Sequence, residues 1–442
     1  MSGAPIDNEA LAHKVLERAK AHGAEQAEVG IRSASGLSAE VRLGEVDALE
    51  YHRDKGASVT VFIGNAKGSA TSSDMSDDAL ERTVEKACAL ARQTSPDPCN
   101  GLAEREYLAI ETPELDLDHP VDMEPEEAIE RARTCEEAAR NVDSRIANSE
   151  GGEFSWARGT VVYANSHGFL GGYTGTRYGV SAAVVAAEDD GAMQRDFWFS
   201  SARALPDLED AGDVGRRAGE RTVRRLGARR LGTAKVPVLF EAPIAGSLLS
   251  HLVSAIRGSS LYRRSSFLVD MAGEQVFSPG ITIHEQPHRK RGLGSVPFDG
   301  EGVTTVERDL VADGVLTGYC LDSYAARKLD LTPTGHAGGV HNLYLQPGAH
   351  DPQALLREMG TGLLVTELIG FGVNNVTGDY SRGAAGFWVE NGEIAYPVEE
   401  ITIAGNLKDM YRDIAAVGSD LDFRGNINAP SVLIGEMTVA GQ

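Results

Sequence analysis

An Asn-Gly dipeptide between two apolar segments is the feature that most constrains how this chain of 442 residues folds. Apolar side chains dominate residues 387–390 before Asn391-Gly392 and residues 393–396 after it. Asn and Gly both tolerate positive φ, so the pair predicts a two-residue type I′ turn that closes a β-hairpin. Residues 400–405 alternate between apolar and polar side chains. At least three consecutive strands are therefore expected here.

The loop before this hairpin carries a carboxylate and a guanidinium in a glycine-rich setting. Residues 378–383 read Gly-Asp-Tyr-Ser-Arg-Gly and contain Asp379 and Arg382. The two side chains fit a structural salt bridge in a loop. They also fit an acid/base or oxyanion pair in a substrate groove beside the sheet. Both interpretations stay open from the residues alone.

The first 95 residues predict a unit of helix, β-meander and helix. Residues 8–22 have helical periodicity, residues 28–70 alternate as strands do, and Ser76 is placed to open a second helix. The interpretation includes strand cores at Val41/Leu43 and turns near Ser35-Gly36 and Gly64-Asn65.

The same order of elements recurs further along the chain. A helix is predicted at 125–142, strands within 154–199 and a helix at 208–226, with turns at four glycines: Gly168, Gly171, Gly172 and Gly175. The repeated order predicts a structural duplication within an α+β fold.

The remainder of the chain is expected to be the largest domain and mainly β, with a barrel- or sandwich-like arrangement. It begins with a strand at 236–240 and a helix at 243–257, and later helices are expected at 352–359 and 407–414. A chain of this length is expected to divide into two or three domains. The predicted division is 1–95, a connector at 96–124, 125–230 and 231–442.

Charge and cysteine content limit the partners. A net charge of −23 repels phosphate backbones and argues against nucleic acid as the main partner. No apolar stretch is typical of a signal peptide or a membrane span. The scattered cysteines Cys88, Cys99, Cys135 and Cys320 suit a reducing compartment, so the cytoplasm is expected.

One helix departs from this acidic character. Residues 208–230 hold seven arginines: Arg216, Arg217, Arg221, Arg224, Arg225, Arg229 and Arg230. Acidic residues in the same segment are placed to pair with some of them. A solvated face or intersubunit salt bridges is the favoured interpretation.

Four segments resemble a known family. They are GSVPFDGEGV at 294–303, DGVLTGYCLDSYAARKL at 313–329, PTGHAGGVHN at 333–342 and GVNNVTGDYSRGAAGFWVENGEIAYPVEEITIAGNLKDM at 372–410. The four segments occur in the order found in PmbA/TldE proteins. These proteins form one half of the TldD/TldE metalloprotease family, and the resemblance covers essentially the whole chain.

The resemblance also implies where a metal would sit in the catalytic half of the family. That half, TldD, carries HExxxH on a helix and a later cysteine as third ligand, and the glutamate can take a proton from the metal-bound water. In the matching helix Ser250 stands at the first histidine, His251 at the glutamate and Ala255 at the second histidine. Residues 426–430 occupy the region of the cysteine, and no cysteine follows Cys320. No metal is therefore expected in this chain, and zinc or a similar metal is expected in a TldD-like partner.

Other histidines offer weaker alternatives. His284 and His288 satisfy the pattern HExxH, but that pattern needs a helix to bring both rings to one ion, and Pro287 disfavours a helix. A loop after a strand is the favoured interpretation. His336 and His341 flank a Gly-Gly pair with no carboxylate or cysteine nearby in the sequence, which fits a substrate-lining role or plain loop packing better than a metal site.

The functional expectation rests on the resemblance. It implies the non-catalytic subunit of a cytoplasmic peptidase for small or unfolded peptides, in which His336, His341, Asp379 and Arg382 are candidates for lining the substrate chamber. A TldD-like subunit and peptides are the expected partners, and a homodimer stays open for the isolated chain. Two alternatives are a stand-alone metallopeptidase, with a metal at His284/His288 or His336/His341, and a regulatory binding protein of the DNA gyrase modulator type.

Overall fold

The N-terminal half builds one antiparallel sheet with helices packed against it. The computed structural model describes residues 7–189 and 191–441. Residues 1–6, which begin the first predicted domain and for which no signal peptide is predicted, lie outside the described residues. The helices are α1 (Asn8–Ala21), α2 (Asp77–Gln93), α3 (Pro125–Arg140) and α4 (Ala211–Val223). The strands are β1 (Gln26–Arg42), β2 (Glu45–Ile63), β3 (Ala66–Ser72), β4 (Ile146–Asn165), β5 (Leu170–Ala187) and β6 (Met193–Ala202).

Capping explains where the helices begin. The Asp7 carboxylate accepts from the backbone N–H groups of Glu9 and Ala10, and the Ser76 hydroxyl accepts from Ala79 N–H. Pro125 fills the first position of α3, where a missing N–H has no consequence for the helix. All four helices predicted in this half are confirmed.

The two predicted meanders share one sheet. The strand order is β3-β2-β1-β4-β5-β6, and β1 pairs with β4 in antiparallel register, as in Ile31 opposite Val162. Val29, Ile31 and Leu37 point to the same face of β1 and are buried against the helices. The four helices therefore cover one face, and the domain limits proposed from the sequence stay predictions.

Several predicted turns are wrong because the glycines that suggested them lie inside strands. Ser35 and Gly36 lie in the middle of β1, where a Cβ on Gly36 would lie 2.4 Å from the Trp156 carbonyl oxygen. The turn is instead at Leu43 and Gly44, whose φ angles are 54° and 82°, so Leu43 is not a strand core. Gly171, Gly172 and Gly175 lie within β5, whereas Gly168 does form a turn, with φ of 99°.

The C-terminal region contains two further sheets and five helices among the described residues. The helices are α5 (Ala242–Ile256), α6 (Gly258–Tyr262), α7 (Ser323–Leu329), α8 (Pro352–Met359) and α9 (Leu407–Arg412). The strands are β7 (Ala234–Phe240), β8 (Ile283–Glu285), β9 (Arg308–Ala312), β10 (Val315–Leu316), β11 (Leu343–Leu345), β12 (Gly362–Ile369), β13 (Asp379–Glu390), β14 (Glu393–Asn406), β15 (Ile414–Val417), β16 (Ile427–Asn428) and β17 (Val432–Ala440).

Five of these strands close into a barrel. They follow the order β14-β13-β12-β7-β17, and pairing of β14 with β17, as in Ile403 opposite Val439, completes the ring. A second sheet has the order β10-β9-β8-β11-β16. Leu248, Leu252 and Ile256 of α5 belong to the core shared by both sheets. The predicted α+β fold with a barrel-like C-terminal half is confirmed.

The Asn-Gly hairpin is confirmed. Asn391 and Gly392 have φ angles of 53° and 78°, and the flanking residues Glu390 and Glu393 pair across the turn. Positive φ at both central residues defines the type I′ geometry. No helix among the described residues has the length and apolar character needed to cross a membrane.

Gly392→Ala is expected to lower the free energy of unfolding by about 2 kcal/mol or more. The new Cβ would combine positive φ with a 2.8 Å approach to Arg357 Cα. Urea unfolding measures the change. Gly227→Ala is the matched control for backbone strain alone, because φ is 79° there and no atom lies within 4 Å. An equal loss in both variants would contradict the contribution assigned to the Arg357 contact.

Candidate functional site

The three helix positions that the sequence resemblance aligns with the metal motif do not form a ligand set. The Ser250 hydroxyl donates to the Gly246 carbonyl oxygen at 3.1 Å, which occupies it within its own helix. Ala255 is fully buried in the core and offers no donor atom. His251 alone could bind an ion, and one imidazole is too few for a structural or catalytic zinc. The residues present do not fit the metal that the family motif holds.

His251 instead lies in a polar group inside the core. Its ring meets the Tyr380 ring edge to face, with centroids 5.9 Å apart. His251 Nε2, the Tyr380 hydroxyl and Arg382 Nε are buried and have no hydrogen-bond partner among the described residues. Burial, reinforced by the Arg382 charge, lowers the pKa of His251 to about 4, so the ring is neutral near pH 7.

Asp379 and Arg382 do not pair, and the expectation of a salt bridge or an acid/base pair between them is wrong. They lie three residues apart on β13, which places their side chains on opposite faces of the strand. Asp379 accepts from the Thr377 hydroxyl at 2.6 Å and from Asn406 Nδ2 at 3.0 Å. These hydrogen bonds lower the pKa of the exposed Asp379 carboxyl. Arg382 shares a strand face with Tyr380, two residues before it on β13.

A second cluster brings together residues that are distant in the sequence. His336 Nε2 donates to Glu285 Oε2 at 2.8 Å, and His341 Nδ1 lies 3.3 Å from Glu285 Oε1. The backbone N–H of His341 also donates to Glu285 Oε1, at 2.6 Å. All three residues are buried, and one potential ligand atom from each lies within 4.8 Å of the other two, close enough for a shared metal ion. A carboxylate absent from the neighbouring sequence is thus supplied by β8.

Strand alternation explains why Glu285 enters this cluster and His284 does not. Adjacent residues of a strand point to opposite faces. His284 accordingly pairs with Asp309 at 2.6 Å and with Glu307 at 2.8 Å, outside the cluster. His288 contacts the Thr305 hydroxyl instead. The segment 284–288 is not helical, so the prediction that its HExxH pattern is a strand and loop is confirmed.

The cluster already contains its positive charges. His336 Nδ1 donates to the Thr334 carbonyl oxygen at 2.6 Å, so both ring nitrogens have acceptors and the ring fits the imidazolium form. Arg308 Nη2 lies 3.3 Å from His336 Nε2, and Arg308 Nε lies 3.6 Å from Glu285 Oε2. A metal ligand must be a neutral imidazole with a free lone pair. The guanidinium and imidazolium therefore take the place that a cation would need.

The pKa values follow from these contacts. Burial alone would raise the pKa of Glu285, but hydrogen bonds and charge interactions with His336 and His341 outweigh it and lower the pKa to about 2. Burial likewise would lower the pKa of His336, but its interactions with Cys320 and Glu285 raise it to about 10. The pair is therefore ionised across the physiological range, which suits a structural ion pair.

One member of the cluster reaches an open cavity. His341 lines a cavity of about 440 Å³ between the N-terminal sheet and the loops at 293–300 and 337–341. Asp299, on the same wall, is almost fully buried, and this burial raises the pKa of its carboxyl. His336 does not line the cavity, so of the two loop histidines only His341 keeps a position from which it can contact a substrate.

The arginine-rich helix is engaged within the chain. Arg221 and Arg225 are buried, and Arg221 pairs with Glu241 at 2.9 Å while Arg225 pairs with Glu367 at 2.6 Å. Exposed Arg216 does pair locally, with Asp213 and Glu220. A solvated face is therefore confirmed for Arg216 and wrong for Arg221 and Arg225, which bind α4 and the residues just after it to the C-terminal region.

Family models for the three domains of PmbA/TldA metallopeptidases match this chain: domain 1 at residues 27–91, the central domain at 118–226 and the C-terminal domain at 233–441. The chain belongs to the PmbA/TldD metallopeptidase family. It is 51% identical over 416 residues to metalloprotease PmbA of Escherichia coli, covering 94% of this chain and 92% of that protein. A PmbA homologue of Haemophilus influenzae is 45% identical, with the same two shares covered.

Solved structures agree with the fold. A Bacteroides thetaiotaomicron protein named for modulation of DNA gyrase superposes with a TM-score of 0.94 at 28% identity, covering 99% of this chain and 100% of that chain. TldE from Thermococcus kodakarensis superposes with a TM-score of 0.82 at 21% identity, covering 98% and 100%. At that identity the second likeness shows the fold alone.

His336→Gln is expected to flatten the loss of stability at alkaline pH. Because the folded pKa is raised from 6.5 to about 10, the stabilisation is complete below pH 6.5 and is lost as the pH rises towards 10. Urea unfolding across this range measures the slope. His350→Gln is the matched control, since its ring pairs with Glu358 at an exposed site. Equal slopes in the wild type and His336→Gln would contradict the ion pair.

His251→Phe is expected to preserve the ring contact with Tyr380 and to reduce the loss of stability in acid. The wild-type pKa is lowered from 6.5 to about 4, so the unfolded chain binds the proton first and stability falls as the pH drops through this window. Removing an unpartnered buried nitrogen should also keep the free energy of unfolding at pH 7 within about 1 kcal/mol. Urea unfolding at pH 7 and pH 5 gives both values, and an unchanged acid slope would argue against a buried neutral His251.

Proposed function

We propose that this chain is the non-catalytic TldE/PmbA-like subunit of a cytoplasmic TldD/TldE metalloprotease that degrades or matures small or unfolded peptides. The observation that carries the proposal is the donor set of α5, where Ser250, His251 and Ala255 offer a single imidazole. A TldD-like partner would then supply the metal and the metal-bound water.

The other histidine clusters support this division of labour. Arg308 and His336 supply the positive charge around Glu285. The second group with suitable spacing, His22 with Glu81 and Glu85, lies between α1 and α2, where Arg18 Nε is 3.0 Å from Glu81. In both places a protein cation already compensates a carboxylate, which disfavours a further cation.

The proposed contribution of this chain is to form part of the substrate chamber and to help order the partner's site. We assign to the chamber the cavity that His341 lines, between the N-terminal sheet and the loops at 293–300 and 337–341. An extended peptide can add to a sheet edge through main-chain hydrogen bonds, which is largely independent of its sequence. Such binding suits a peptidase that accepts unfolded segments.

The regulatory alternative, modulation of DNA gyrase, has weaker support. The arginine-rich segment is the feature of the sequence that this alternative rests on, and its arginines at 221, 224 and 225 are paired with Glu241 and Glu367. A pull-down from cell extract separates the two ideas. Recovery of gyrase without a TldD-like chain would favour the regulatory role.

Co-expression with the cognate TldD-like protein tests the proposal. The purified chain alone is expected to contain far less than one zinc ion per chain and to show no peptidase activity, while the mixture is active and chelator-sensitive. Ser250→Ala in this chain should leave the mixture's activity within about twofold, because the Ser250 hydroxyl only bonds its own helix. Stoichiometric zinc in the isolated chain, lost together with activity, would overturn the proposal in favour of a stand-alone metallopeptidase.

A further inference from the structure

A second cavity lies where the central region meets the barrel, close to the first turn of α5. Its volume is about 410 Å³, within the range of roughly 300–1,000 Å³ that small ligands occupy. Leu239, Leu356 and Leu364 form apolar parts of its wall. Trp198 and Arg217 form the wall on the side of β6 and α4.

Most of the charged side chains that line this cavity are already satisfied by protein partners. Glu241 pairs with Arg221 at 2.9 Å and Arg224 at 3.2 Å. Asp420 accepts from the Ser431 backbone N–H at 2.9 Å and from its hydroxyl at 2.7 Å.

Two further charged liners, Asp422 and Arg424, lie 2.6 Å apart, and Arg424 Nη2 also lies 2.6 Å from Glu209. These contacts leave neither side chain as the main attraction for a ligand.

Arg217 is the exception among the charged liners. Its guanidinium lies 3.8 Å from the centre of the Trp198 ring, and it forms no ion pair within the residues the structure describes. Neighbouring Arg216 on the same helix, by contrast, pairs with both Asp213 and Glu220. Arg217 therefore presents a fork of N–H donors held over an aromatic ring, an arrangement that suits a carboxylate.

Trp198 adds a second donor beside this guanidinium. The residue is only 3% exposed, and its indole N–H has no acceptor among the described residues. A buried donor without a partner is destabilising, so a ligand oxygen that accepted from it would recover a hydrogen bond. The first turn of α5 lines the same cavity through Ala242 and Pro243, and its dipole adds positive potential there.

We propose that this cavity binds the C-terminal residue of a peptide, with its free carboxylate accepting from Arg217 and the Trp198 indole N–H and an apolar last side chain packed against Leu239, Leu356 and Leu364. The assignment rests on the proposed function for the choice of a peptide as ligand. The site would then select peptides that end in an apolar residue with a free carboxylate, which names a substrate class for the proposed peptidase.

Calorimetric titration of the full chain with N-acetyl-Ala-Ala-Leu as the free acid and as the C-terminal amide tests the proposal. The acid is expected to bind about tenfold tighter than the amide, because only the acid offers a charged acceptor to the guanidinium. N-acetyl-Ala-Ala-Ser as the free acid is expected to bind more weakly than the leucine peptide, because it buries less apolar surface.

Arg217→Gln should lower the affinity for the acid about tenfold and leave the affinity for the amide unchanged. Arg216→Gln is the matched control, one residue away on the same helix and already ion-paired, and it should change neither. Circular dichroism of both variants establishes that they are folded. Equal binding of acid and amide, loss of both peptides in Arg217→Gln, or no binding of either would overturn the proposal.

The outcomes also separate this inference from the proposed function. If neither peptide binds but the mixture with the TldD-like protein is still an active peptidase, only the proposed peptide-binding role of this cavity is refuted. If the acid binds selectively but the mixture is inactive, the peptide-binding role is supported and the proposed subunit role is refuted.

Discussion

A single buried carboxylate holds the loops of the C-terminal region together. Glu285 is withdrawn from water on β8, and an isolated charge in that position would cost several kcal/mol. His336 and Arg308 compensate its charge from a loop and from β9, and the backbone N–H of His341 donates to it. Separating one of these partners would leave a buried charge uncompensated, so the ion pairs hold the loop and the two strands together. They also fix the position of the loop that carries His341, which lines the cavity beside the N-terminal sheet.

The helix that would carry the metal motif has kept its packing role. Leu248, Leu252 and Ile256 of α5 join the barrel to the second sheet in one apolar core. The positions of the motif are filled by Ala255, which packs, by Ser250, which bonds its own helix, and by His251, which lies beside Tyr380. This is consistent with the proposed pairing of a metal-bearing and a metal-free subunit.

Local chemistry predicted the secondary structure well and the side-chain partners poorly. The Asn391-Gly392 turn and the helices opened by Asp7 and Ser76 are decided by residues within a few positions of one another. Gly36 was mistaken for a turn because its cause, the close approach of Trp156, lies 120 positions away. Long-range partners of this kind leave no periodic signal in one sequence.

The candidate site shows the same limit. The HExxH pattern at His284 lies in a segment that does contribute to the cluster. The contributing residue, however, is Glu285, and its partners are histidines more than 50 residues further on. Alternation along a strand could have separated His284 from Glu285, but nothing in the sequence pairs Glu285 with His336. The predicted pairing of Asp379 with Arg382 is wrong because residues three apart are neighbours on a helix but point to opposite faces of a strand. The contact between Arg217 and Trp198 is not predictable from the sequence, because stacking between a helix and a strand has no characteristic spacing.

The ladder between β1 and β4 ties the two meanders into one mechanical body. Fourteen residue pairs, from Glu28 opposite Asn165 to Val41 opposite Gly152, join strands that belong to different meanders. A protease cut in the extended connector between Ile110 and Val121 would sever the chain without touching this ladder. The two fragments should then remain associated as complementing halves and melt in one cooperative transition.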